Sequence, residues 1–206
     1  FAVDKPDAKL YLHCGMKDQG WDIMSLFGRE MRKRGLDPNS RIIMTTQSPQ
    51  PPSVPVEMLN WIYNSADISV NTCKGEGHGL VNHESAACGV AQIVPDHTSL
   101  KEIFQGAAPL IDCCFCDVDV NYNRQMYIPS AEHLAEIMTE LYEDPFKLKA
   151  VGEACYKRAT DPKYQWDTIA AQFKEEFREV LKPAIEKERP VIKKPKKRKK
   201  TAVGMA

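Results

Sequence analysis

The sequence predicts an α/β domain, a parallel sheet with helices on both faces, carrying a helical extension at its C-terminal end. Three observations predict it. Short apolar runs alternate with helical stretches four times between residues 9 and 104. A turn rich in glycine, Gly75-Glu76-Gly77-His78-Gly79, stands between one such strand and the next helix. Residues 131–181 then hold three helical stretches with no strand pattern between them.

Residues 9–14 form the first strand candidate, followed by a glycine-containing turn. Residues 21–34 place Trp21, Met24, Phe27 and Met31 on one face with charges between them, an amphipathic helix that Gly35 ends. Residues 41–46 are strand-like, and Pro49, Pro51, Pro52 and Pro55 make residues 47–55 a surface loop. A helix over 56–65 leads into a strand at 68–71. The glycine turn follows, then a helix over 80–88, a strand at 91–94 and a helix over 98–104. Beyond residue 107 the pattern changes. Residues 110–120 mix apolar and polar types, and 122–127 form a hairpin or an extended cover. Helices are expected at 131–142, at 145–160 with Pro145 suited to a first turn, and at 166–181. Pro183 and Pro190 break the pattern. The expected organisation is one lobe over residues 1–185 and a basic, disordered tail over 186–206.

Composition narrows the function classes. With 206 residues, 43% hydrophobic and 27% charged, the chain suits one globular domain with a proper core. No apolar run approaches the roughly 20 residues of a membrane-spanning helix. Phe1 begins in mid-pattern without a methionine, so an upstream segment is expected. The formal net charge is zero, but residues 193–200 hold 7 of the 28 cations and no acid. The remainder sets 21 cations against 28 acids, a formal −7, which argues against a broad nucleic-acid surface and makes any phosphate recognition local. The basic tail leaves three readings open: a nuclear-localisation signal, a polyanion-binding arm or a solubilising end. Seven cysteines show no disulfide framework. Cys113, Cys114 and Cys116 cluster, but no second Cys or His pair follows at zinc-site spacing, and His133 is isolated. Buried thiols in a reducing, cytoplasmic setting and no metal site are therefore expected.

The chemistry concentrates in residues 73–95. Gly75, Gly77 and Gly79 allow positive φ and a close backbone approach to a ligand. The helix expected from Leu80 would aim its free N–H groups at that ligand, an arrangement that attracts phosphate. Glu76 in the turn and Glu84 further into the helix could each accept hydrogen bonds from sugar hydroxyls. Together these are the parts of a nucleotide-sugar site.

The run Glu76-Gly77-His78-Gly79-Leu80-x-x-x-Glu84-x-Ala86-Ala87-Cys88-Gly89 resembles the donor-site motif, E-x(7)-E, of retaining glycosyltransferases with the GT-B fold, the family-4 or "group 1" class. Residues 59–71 are similar to the family's "LYNAADV" helix-to-strand passage, and residues 95–103 resemble its strand-loop-helix with a Glu near the helix start. The likeness covers about residues 9–181. It implies a Rossmann-like architecture, the C-terminal, donor-binding lobe of such an enzyme. By resemblance Glu76 is the catalytic-site acid that hydrogen-bonds the transferred sugar, without needing to be a nucleophile. Glu84 takes the ribose hydroxyls in charge-assisted bonds. Gly77, His78, Gly79, Leu80 and Val81 act mainly through backbone N–H groups. His78 stands where the family has an aromatic residue, and its ring is expected to pack; His83 is expected at the surface or in packing. Thr98 and Ser99 replace a Gly-Gly pair and could either cap a helix or contact phosphate. Thr46 and Gln47 lie where the family reads the nucleobase with backbone groups, or are plain loop.

The implied reaction moves a hexose-type sugar from a nucleoside diphosphate to an acceptor hydroxyl, with retention and without a metal or other cofactor. Asp117-Val118-Asp119 has the spelling of a metal clamp but lies outside the motif region and reads as a solvated strand edge. The family's diphosphate-binding Arg and Lys, and the whole N-terminal lobe with the acceptor site, would precede Phe1. The expected partners are a nucleotide sugar, an unidentified acceptor and that lobe. The alternatives are a non-catalytic nucleotide-sugar-binding module and a sugar-nucleotide epimerase on the same fold.

Overall fold

Strand β1 (Leu10–Leu12) and strand β2 (Ile42–Met44) pair in parallel, with Leu10 opposite Ile42. Helix α1 (Ile23–Lys33) connects them. Asp22 caps α1 by accepting the Ser25 N–H at 2.9 Å, and Gly35, at φ +70°, turns the chain out of it. In this computed structural model the described residues are 1–17, 22–121 and 123–188, except for the side chains at 114, 115 and 183–188. Trp21, Tyr122 and the basic tail lie outside them.

After the proline loop come α2 (Val56–Asn64), β3 (Ile68–Val70), α3 (Leu80–Ala87), β4 (Ala91–Pro95) and α4 (Thr98–Phe104). These match the expected elements to within a residue or so. A short strand not foreseen in the sequence, β5 (Leu110–Ile111), completes a three-stranded parallel sheet in the order β3-β4-β5. β4 is its middle strand, and all five of its residues are buried. The expected single parallel sheet is thus divided: among the described residues β1-β2 and β3-β4-β5 are separate hydrogen-bonded sheets. The hairpin expected near 122–127 is longer. It is formed by β6 (Cys113–Asp119) and β7 (Arg124–Pro129), antiparallel, with a register irregularity between Cys113 and Phe115. Asp119 pairs with Arg124 at 3.3 Å near its turn.

Helices α5 (Ala131–Glu143) and α6 (Pro145–Ala159) follow, capped by Ser130 and Asp144 at their first turns. α6 packs on β4 and α3, and α5 on β5 and α6. Ile93, Ile111, Ile137 and Leu141 form the centre of the core, with Leu134, Met138, Leu148 and Val151 packed around it. Each such side chain stabilises the fold by roughly 1.5–3 kcal/mol through burial. α6 comes close to the backbone before β4 at Gly152, where a Cβ would lie 2.6 Å from the Gly89 carbonyl oxygen, so only glycine lets α6 sit there.

The chain divides into two units, Phe1–Asp161 and Pro162–Ala206. In the second, a 3-10 turn (Pro162–Tyr164) precedes α7 (Trp166–Glu188). α7 continues through Pro183, where a stop was expected; proline removes one helical hydrogen bond without forbidding the turns beyond it. The thiols also depart from expectation: of the described cysteine side chains only Cys155 is buried, and Cys116 is exposed on β6.

Candidate functional site

β3 and β4 run in parallel with Val70 opposite Ile93, so the loops leaving their carboxyl ends emerge side by side. Ligands of open α/β sheets bind at such ends. The loop after β3 carries the glycine turn, and neighbours hold it from two directions. On one side the Tyr127 N–H of β7 donates to the Lys74 carbonyl at 3.0 Å. On the other side the β4–α4 junction supplies three contacts. His97 Nε2 meets the Cys73 carbonyl at 3.0 Å, the Glu76 N–H donates to Thr98 Oγ1 at 3.3 Å, and the Ser99 hydroxyl donates to the Glu76 carbonyl at 3.0 Å.

Glu76 is half-buried. Its Oε1 accepts the Gly77 N–H at 2.9 Å, which orients the carboxylate and leaves its other oxygen to a ligand. Gly79 begins α3 at φ +82°, and a Cβ there would stand 2.4 Å from Leu100 Cδ2. This position needs glycine. Gly75 and Gly77 do not share that need within the fold: neither uses the positive φ open to it, and a Cβ on either meets nothing within 4 Å. The space in front of them is open. No side chain caps α3, and Leu80 and Val81 at its start are 59% and 62% exposed. The positive end of the α3 dipole therefore has no side-chain cap, and it lies beside Glu76, whose Cγ is 3.5 Å from a Cβ placed on Gly79.

Glu84 is exposed one turn further along α3, and its Oε2 accepts the Tyr63 hydroxyl of α2 at 2.9 Å. Burial pushes the Tyr63 phenol well above the usual tyrosine range, and the bond to Glu84 adds to the effect. The exposed His78 ring lies 5.3 Å from that of His83, whose Nε2 meets the Ala159 carbonyl at 2.9 Å. Burial holds the His83 imidazole below its ordinary value. His83 thus belongs to the packing of α3 on α6.

Thr98 and Ser99 come to the site, but neither hydroxyl caps α4, whose N-cap is His97 with no side-chain cap bond. Both side chains turn instead to the Glu76 backbone. Thr46 and Gln47 lie just beyond β2, the strand of the other parallel pair. There Thr46 Oγ1 accepts the Ser48 N–H at 3.0 Å at the start of the proline loop, and Gln47 is exposed. Among the described residues no hydrogen bond joins either of them to the glycine turn, and no group of three His, Cys, Asp or Glu could hold a metal ion. Cavities of about 530 Å³ beside Gly28 and Asp37, and about 330 Å³ beside Gly89 and Lys149, have no glycine-turn residue in their walls. Around Gly75 and Gly77 the candidate site is open. No described helix is long and apolar enough to cross a membrane.

Sequence reasoning missed the polar scaffold under the site. Asn71 Nδ2 donates to Asn82 Oδ1 at 2.7 Å, Asn82 Nδ2 to Gln92 Oε1 at 3.0 Å, and Gln92 Nε2 to Ser85 Oγ at 3.2 Å. Asn71 Oδ1 also takes the Cys73 N–H at 2.8 Å. Asn82, Ser85 and Gln92 are essentially fully buried, so this chain locks α3 to the ends of β3 and β4. A glutamine inside the apolar run Ala91-Gln92-Ile93-Val94 was the signal, since a buried amide requires partners. His97, two residues beyond the same buried strand, was also missed.

The sequence pattern of the glycosyl transferase-like family matches residues 47–175, which span α2 to the first turns of α7 and cover most of the first unit. A curated D-inositol 3-phosphate glycosyltransferase of Thermobispora bispora is 28% identical over 133 residues, 64% of this chain and 27% of that protein. The sucrose-phosphate synthase of Thermosynechococcus elongatus shares the fold with a TM-score of 0.62 at 21% identity, covering 88% of this chain and 40% of that one. This chain therefore spans about a quarter of the curated relative's length. On the family match, the likeness in fold and the glycine turn at the sheet's carboxyl edge, the chain belongs to the glycosyl transferase-like family, among the GT-B group 1 glycosyltransferases.

Proposed function

We propose that this chain is the nucleotide-sugar-binding lobe of a glycosyltransferase that moves a hexose-type sugar to an acceptor hydroxyl, retaining anomeric configuration and using no metal. One observation carries the proposal: a half-buried carboxylate, Glu76, is held by its backbone beside the uncapped N-terminus of α3, with open space at the flanking Gly75 and Gly77. The diphosphate of the donor lies at that helix end, where the N–H groups of Gly77 to Val81 stabilise the charge that builds on the leaving group. Glu76 takes hydroxyls of the transferred sugar and Glu84 those of the ribose, where the Tyr63 hydroxyl orients its carboxylate. Thr46 and Gln47 approach the base, and a separate lobe supplies the acceptor. The two relatives' names point to different products.

A thermal-shift screen of nucleoside diphosphates and their sugars tests the proposal, because a ligand that binds the native state raises its melting point. At least one diphosphate sugar should raise it more than the matching bare diphosphate. No shift with any of them at millimolar concentration overturns the assignment. Donor binding without transfer by the intact protein would favour a binding module.

A further inference from the structure

His97 is 5% exposed, and its ring stacks on Tyr127 with centroids 5.2 Å apart and planes at 22°. Both of its nitrogens are engaged. Nε2 lies 3.0 Å from the Cys73 carbonyl, which can only accept, so Nε2 carries the proton. In the neutral ring Nδ1 is then the acceptor, and it takes the Thr98 hydroxyl proton across 3.0 Å. With that proton committed, Thr98 Oγ1 offers a lone pair to the Glu76 N–H at 3.3 Å. The hydrogen bonds therefore run one way, from Glu76 N–H through Thr98 and His97 to the Cys73 carbonyl, and both ends lie on the same loop. Ser99 closes the clamp at the Glu76 carbonyl. Thr98 itself sits at φ +49°, a left-handed conformation that a β-branched residue rarely adopts and that persists only where its surroundings over-determine it.

We propose that His97 is a positioning residue of the donor site, which acts through the Thr98 hydroxyl to fix the Glu76 backbone and so the point where the Glu76 carboxylate meets the donor's sugar. This rests on the assignment of Glu76 to the sugar. The clamp's hydrogen bonds end on Glu76 and Cys73, outside the Gly77 to Val81 stretch proposed to hold the diphosphate, so its loss should affect the sugar's contribution to binding and spare the rest.

Calorimetry on the 206-residue chain tests this with UDP, GDP and ADP, each against its glucose conjugate, the readout being the affinity ratio of conjugate to bare diphosphate. Thr98→Val keeps the branched shape without the hydroxyl, Thr98→Ser keeps the hydroxyl, and His97→Phe keeps the stacked ring without its nitrogens. Thr98→Val and His97→Phe should lower the ratio roughly three- to tenfold, the worth of one hydrogen bond, with bare diphosphate affinity unchanged. Thr98→Ser should restore the ratio. An unchanged ratio in Thr98→Val, or parallel loss of both affinities, overturns the proposal. If Glu76→Gln lowers the ratio and Thr98→Val does not, the clamp fails alone; if Glu76→Gln leaves it unchanged, the sugar assignment fails and the clamp's role falls with it. Should His97→Phe not fold, the imidazole nitrogen spectrum of the unaltered chain decides the first link. A neutral ring protonated at Nε2 is expected, and protonation at Nδ1 alone overturns it.

Discussion

Replacing Gly79 by alanine separates a glycine that the fold requires from one that only a ligand would require. At φ +82° an L-residue adopts the left-handed conformation at a cost of roughly 1–2 kcal/mol. The new Cβ would stand 2.4 Å from Leu100 Cδ2, and Leu100 is completely buried, so its methyl cannot swing into solvent. Overpacking of this kind costs roughly 1–3 kcal/mol more. Together Gly79→Ala should destabilise the first unit by about 2–5 kcal/mol, a large part of the 5–15 kcal/mol typical of a domain. Gly77→Ala meets open space and no positive φ, and should leave stability within about 1 kcal/mol of the unaltered chain. Its methyl would nevertheless project where the donor is proposed to lie, so nucleotide-sugar affinity should fall. Urea unfolding followed by circular dichroism measures the first effect and calorimetry the second. Equal stability losses in the two variants, or a Gly79→Ala chain as stable as the original, would refute this account of the turn.

Glu84→Gln should weaken nucleoside diphosphate binding by about 1.5–3 kcal/mol, the range for a hydrogen bond to a charged group; unchanged affinity by calorimetry would leave Glu84 a structural partner of Tyr63. Gln92→Leu should cost about 1–3 kcal/mol by leaving the Asn82 amide without its acceptor in the core, and a urea midpoint equal to that of the unaltered chain would deny the buried network its role. Because the Tyr63 phenol is raised in the fold, the unfolded chain ionises first on the alkaline side. Its stabilising contribution is thus intact below about pH 10 and declines as pH rises beyond it, and Tyr63→Phe should flatten that decline. Identical alkaline limbs for the two proteins would contradict the shift.

Local rules were enough to read most of the helices and strands, because each is written in a short stretch of chain. Met24, Phe27 and Met31 at helical spacing, Gly35 at a helix end, Pro145 at a first turn and four prolines in a loop act on their immediate neighbours. The motif likewise placed Glu76 in a turn before a helix, and the helix starts where its glycine predicted. Contacts between distant segments were not written that way. Which glycine is irreplaceable depends on Leu100, 21 positions beyond Gly79, and nothing around Gly75 or Gly77 marks them as different. The Thr98 and Ser99 hydroxyls could cap a helix or face phosphate when judged by spacing. Only the lateral pairing of β3 and β4 brings them within reach of Glu76, more than 20 residues away. The same pairing buries Asn82, Ser85 and Gln92 and makes each find a partner out of water. The sequence by itself determined the order of elements and the chemistry available, because propensity, capping and turn formation act over a few residues. Tertiary structure alone decided which side chains meet, because packing and the desolvation of polar groups depend on neighbours the chain order does not reveal.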